Sequence, residues 1–161
     1  MALTSDIAAT YRGPGTVMRR LLASRPSEGR VLMLLMAGCL VTFVGQWPRL
    51  AREAYLAHRT LDPLIGGALM GWLFIAPLGF YALALVSHLV LRALGVRADG
   101  LATRLALFWA FLAANPLLLL CGLVAGFIGP GAELNLVGAV WGMVFLWFWL
   151  SNLRAAGRAA P

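Results

Sequence analysis

Asp62-Pro-Leu-Ile-Gly-Gly-Ala-Leu-Met-Gly-Trp-Leu-Phe-Ile-Ala-Pro-Leu-Gly-Phe-Tyr-Ala-Leu-Ala-Leu-Val-Ser-His-Leu-Val-Leu91 decides the fold. After its opening Asp62, this stretch carries no Asp, Glu, Lys or Arg for 29 residues. Three other runs share that property: Val31 to Pro48, Leu105 to Ala132 and Leu134 to Leu153, of 18, 28 and 20 residues. A hydrocarbon core of ~30 Å needs about 20 apolar residues in helical form. Helices buried in a soluble domain are shorter or show a polar face. The sequence therefore predicts an all-α, polytopic membrane protein, a bundle of four transmembrane helices preceded by a short interfacial amphipathic helix.

Bulk composition agrees. Of 161 residues, 61% are hydrophobic and 12% charged, against about 45–50% and about 25% in soluble domains. The net charge of +7 comes from thirteen arginines and no lysine. Most of them flank the apolar runs, where anionic lipid head groups meet them, so no nucleic-acid partner is expected. The missing lysine points to a GC-rich, bacterial source. Residues 1–29 lack the apolar centre of a cleavable signal. Cys39 and Cys121 both fall inside apolar runs and read as packing residues.

Predicted spans cover about 30–48, 64–94, 103–128 and 134–153, within a transmembrane domain of residues 30–154. A cytoplasmic or interfacial segment (1–29) precedes it and a short basic tail (155–161) follows. Within 5–24, Gly13-Pro14-Gly15 interrupts one or two short helices. A basic amphipathic segment of this kind can lie on a membrane surface or bind protein. Ser27 is the expected N-cap of the first span, and Trp47-Pro48 its end. Arg49 and Glu53 are spaced to pair within an amphipathic connector. Asp62 is the expected cap before Pro63, Pro77 the expected bend of the overlong second span, and Gly95 its stop. Pro116 sits mid-way in the third span, which Gly129-Pro130-Gly131 ends. Ten arginines share one side with both termini and three lie opposite, so both termini are expected in the cytoplasm of an inner membrane.

In lipid, helices associate through close packing, and small residues mark contact faces. Candidate faces are Gly38, Thr42 and Gly45 in the first span, Gly67 and Gly71 in the second, Gly122 and Gly126 in the third, and Gly138 and Gly142 in the fourth. The last three carry GxxxG patterns. They serve either the bundle's own packing or contact with another membrane protein or a second copy. Intramembrane polar and kink candidates are Pro77, His88, Asn115, Pro116 and Asn135. An ionisable group within a span is a functional candidate, but His88 lies near the end of its span beside Arg92. Asn115 can satisfy a backbone group freed by Pro116, bond across helices, or line a cavity.

None of the six acidic residues lies deep in a span, which argues against a proton-coupled carrier. No HExxH, GxSxG or phosphate-loop pattern is present, and no Cys/His cluster has metal spacing. Ser87 and His88 are adjacent, so a helix points them about 100° apart. No enzyme activity, cofactor or metal is expected.

Three stretches carry a family resemblance. Arg12-Gly13-Pro14 followed by Val17-Met18-Arg19-Arg20-Leu21-Leu22, then Phe111-Leu112-Ala113-Ala114-Asn115-Pro116-Leu117-Leu118-Leu119, and Leu136-Val137-Gly138-Ala139-Val140-Trp141 with Leu153-Arg154 resemble the bacterial Yip (Ypt-interacting-protein, "Yip-one" domain) membrane proteins. The resemblance implies a polytopic bundle with a cytoplasmic N-terminus. Eukaryotic members are associated with vesicle traffic and bind Rab-type GTPases, a role that does not transfer to a bacterial host. The family's usual count is five spans against the four here. The resulting expectation is a non-enzymatic inner-membrane protein that contacts other membrane proteins or shapes the bilayer. The alternative is a small transporter or channel for an uncharged or lipid-like substrate.

Overall fold

The computed structural model describes residues 3–96 and 99–158; Arg97, one of the ten arginines counted above, lies outside them. The described residues form helices and no strands. Four helical stretches are long and apolar enough to cross a membrane. This is an all-α bundle of a multi-pass membrane protein.

The chain begins with a helical hairpin, α1 (Leu3–Arg12) and α2 (Pro14–Ala23). Gly13 alone separates them, and Pro14 takes the first turn of α2, where its missing N–H costs nothing. The first span, α3 (Glu28–Gly45), is capped as expected: Ser27 accepts a hydrogen bond from the Arg30 N–H. Pro48 does not stop the helical course. After Gln46 the chain enters α4 (Trp47–Leu56), with the proline in its first turn. The expected connector thus begins as a helix that buries Leu50 and Ala54. Its exposed Arg49 and Glu53 pair at 3.3 Å.

The second span opens on α5 (Asp62–Met70). Asp62 is its first residue and makes no capping bond, contrary to the expected cap. A π-helical turn over Gly71–Ile75 follows, then α6 (Ala76–Ala93). The irregularity therefore precedes Pro77. A proline ring collides with the carbonyl four residues back, which here is that of Leu73, inside the widened turn. Gly95, at φ +76°, ends the span as expected.

The third span, α7 (Gly100–Phe127), is the hub. Every residue from Leu105 to Asn115 is buried. Such a helix is apolar all round because it has neighbours on all sides. On its faces lie α3, α6, the hairpin and α8 (Ala132–Arg158). Gly129, at φ +99°, makes the tight exit towards α8. The fourth span runs on past Leu153, so residues 155–158 are helix rather than tail. Ala155 and Ala156 are buried there in one apolar cluster with Met18 of α2.

Contacts set the orientation of the spans. Glu28 pairs with Arg104 at one end, and Arg52 reaches Gly126 at the other, so α3 and α7 run antiparallel. Asn152 Nδ2 donates to the Ala106 carbonyl at 3.2 Å, and Tyr81 packs on Phe108. Arg30, Arg92, Arg104 and Arg154 thus share one end, the basic end, with the hairpin.

The hairpin does not rest on an open surface. Its inner side buries Thr10, Pro14, Val17 and Met18. Val17 clusters with Trp109 and Leu112 of α7, and Tyr11 meets Phe148 of α8 edge-on, with ring centroids 5.0 Å apart. The Trp109 indole donates to Thr10 Oγ1 at 3.1 Å, and the Tyr11 hydroxyl to the Ala113 carbonyl at 3.1 Å. Burial pushes the Tyr11 phenol pKa up. Trp109 and Leu112 lie about 7 and 12 Å along α7 from Arg104 at the helical rise. The hairpin therefore packs along the basic-end half of α7.

Candidate functional site

With no converging catalytic set in the sequence, the candidate residues are those that mediate contact between helices. The structure divides them into two groups. Gly38, Thr42 and Gly45 of α3 face Asn115, Gly122 and Gly126 of α7. Gly38 lies under the Phe111 ring, where a Cβ would stand 2.9 Å from two ring carbons. A Cβ on Gly45 would stand 2.8 Å from Leu119 Cδ2. One on Gly122 would overlap the Gly45 carbonyl oxygen, and one on Gly126 would overlap Pro48. The two stripes are thus one interface, continuing onto the start of α4.

A polar node sits in that interface. Asn115 Nδ2 donates to the Gly38 carbonyl at 3.1 Å. The Thr42 hydroxyl lies 2.7 Å from Asn115 Oδ1 and 2.9 Å from the same carbonyl. Asn115 is 2% exposed. Of its three expected uses, bonding across helices is the one the structure shows. The amide is held between α3 and α7, and Pro116 follows it inside an unbroken α7.

The second group has no such neighbours. A Cβ added to Gly67 or Gly71 of the second span, or to Gly138 or Gly142 of α8, would meet nothing within 4 Å. Asn135 is exposed near the start of α8. Pro77 is buried, while His88 is half-buried and its Nδ1 has no partner within the protein. Among the described residues, no three His, Cys, Asp or Glu side chains converge as a metal site would require.

Arg52 escaped sequence reading. It lies on α4 and its Nη1 is 3.3 Å from the carbonyls of both Gly126 and Phe127. These are terminal carbonyls of α7, which lack helical partners and carry the negative end of the helix dipole. A Cβ on Gly129 would stand 2.7 Å from this guanidinium. Arg52→Ala is expected to cost about 1 kcal/mol, the range for a cation at a helix C-terminus. An SDS titration of the purified protein in mixed micelles measures it; Arg49→Ala, which removes only exposed contacts to Gln46 and Glu53, is expected to leave the midpoint unchanged.

Compared with known proteins, the chain matches no family model, no curated protein and no solved structure.

Proposed function

We propose that this chain is a non-enzymatic inner-membrane protein of the Yip type, with both termini cytoplasmic, that acts by holding another membrane protein or a second copy of itself. The observation that supports this reading is the division of the glycine faces. Those of α3 and α7 are used up inside the bundle, whereas Gly138 and Gly142 on α8, with Gly67 and Gly71 on the second span, remain open. Lipid gives helices no hydrophobic reason to associate, so small-residue faces that let backbones approach are where a further helix docks. The second span adds to this. Its most apolar window is only 6% buried, and at 32 residues it measures about 48 Å, well beyond the hydrocarbon thickness. The transporter reading has no comparable support, since Asn115 and Thr42 bond to each other and to α3 rather than to an open path.

The test is purification of the tagged chain in a gentle detergent, with identification of what accompanies it. A stoichiometric membrane partner, or a dimer, is expected. Gly138→Leu with Gly142→Leu should remove it while leaving the unfolding midpoint unchanged. A monomer for wild type and variant alike, from a well-folded sample, rejects the proposal.

A further inference from the structure

We infer that the groove between α6 and the start of α7 binds one anionic phospholipid, its acyl chain along α6 and its phosphate beside His88 and Arg104. The groove measures about 500 Å³ and is walled by apolar side chains, among them Leu78, Tyr81 and Leu85, with His88, Gly100 and Arg104 at its basic end. Leu78 and His88 stand ten positions apart on α6, about 15 Å at the helical rise. That is roughly the depth of one leaflet's hydrocarbon.

Three features at the polar end converge on an anion. His88 Nδ1 and Arg104 Nε are both buried and neither has a hydrogen-bond partner within the protein. A buried polar atom left unpaired is costly, and both side chains line the groove, where a ligand oxygen would supply the partner. Gly100, the first residue of α7, lines the same groove, and the Asp99 side chain makes no capping bond. A helix N-terminus of this kind favours negative charge. Glu28 pairs with the terminal nitrogen of Arg104 and offsets part of its charge, while Arg92 adds an exposed cation one turn beyond His88.

Lipid, rather than a free phosphate, is the occupant because the cations end an apolar trough at membrane depth. A small anion would leave the walls of Leu78, Tyr81 and Leu85 bare. Basic pockets between spans at a membrane face bind lipid head groups in this way. The proposed partner contact uses α8 and the glycines at the far end of the second span, Gly67 and Gly71, whereas the polar end of the groove lies at His88, so either can fail alone.

The experiment is native mass spectrometry of the full chain released from detergent containing equal amounts of phosphatidylglycerol and phosphatidylcholine. One phosphatidylglycerol per chain is expected to be retained in preference. His88→Leu is expected to weaken retention about tenfold, the equivalent of one hydrogen bond to a charged group. Leu78→Trp, which fills the apolar end of the trough ten positions from His88, should do the same. Both variants are first checked for an unchanged unfolding midpoint. Arg49→Gln, at the opposite end, should bind as wild type. Equal retention of both lipids, or variants that bind normally, overturns the inference. Displacement of the lipid by millimolar inorganic phosphate also overturns it, by showing a site for the ion alone.

Discussion

Gly122→Ala is expected to cost about 3 kcal/mol, at the upper end of the overpacking range, and Gly122→Leu to leave no folded protein. The reason is what the added carbon meets. A Cβ at Gly122 would overlap the Gly45 carbonyl oxygen, a backbone atom that no rotamer change can move. Relief requires separating α3 from α7. Separation would pull the Gly38 carbonyl and the Thr42 hydroxyl away from Asn115, leaving polar groups unpaired inside the bundle. Gly126→Ala should follow the same course, since its Cβ would overlap Pro48 of α4. Glycines on the open faces behave oppositely. Gly142→Ala and Gly67→Ala meet nothing within 4 Å, and alanine is the better helix former by about 1 kcal/mol. They should be neutral or slightly stabilising in the isolated chain. SDS titration followed by circular dichroism separates the two classes. Equal behaviour of Gly122→Ala and Gly142→Ala would mean that the α3–α7 interface is not the one described.

That contrast shows what sequence could and could not reveal. Charge-free runs fixed the number of spans because the hydrocarbon thickness leaves little choice of length. Local chemistry gave the Ser27 cap, the glycine exits at Gly95 and Gly129, and the Arg49–Glu53 pair, all settled within a few residues. The division of the glycine stripes was not legible. Gly122-x-x-x-Gly126 and Gly138-x-x-x-Gly142 are the same pattern, and only the helix opposite distinguishes them. The hairpin was half legible. Its inner residues, Pro14, Val17 and Met18, recur at helical spacing, which predicts an apolar face but not what covers it. A lipid surface and a trough over Trp109 impose the same periodicity. Arg52 left no signal, because an arginine in an amphipathic connector is ordinary until α7 ends beside it. The continuation of α8 beyond Leu153 was hidden in the same way: Arg154 and Arg158 suggest a solvated tail, whereas Ala155 and Ala156 supply a buried face between them.

Phe111→Ala is the second large effect, expected at about 3 kcal/mol, the lower part of the range for buried phenylalanines. The lower part applies because apolar burial itself gains little from lipid, so what is lost is packing. Phe111 is 1% exposed and joins three spans. Its ring lies over Gly38 of α3, and its centroid is 4.4 Å from that of Phe80 on α6. Trp72, Ala76 and Ala84 also pack into the core cluster, but they are smaller or only partly covered contacts. Tyr81 packs on Phe108, with centroids 5.1 Å apart, and α5 buries no residue at all. Removing the Phe111 ring should therefore loosen α6 before the α3–α7 pair separates. The midpoint in SDS should fall, and amide exchange in α6 should rise while that in α7 around Ala106 to Trp109 stays protected, because Asn152 of α8 still holds the Ala106 carbonyl and Thr10 of the hairpin still holds Trp109. Phe111→Leu keeps part of the contact with both partners and should recover about half of the loss, in line with partial refilling of a cavity. Uniform loosening of all four spans would show instead that the bundle melts as one unit, with no peripheral second span for a partner to use.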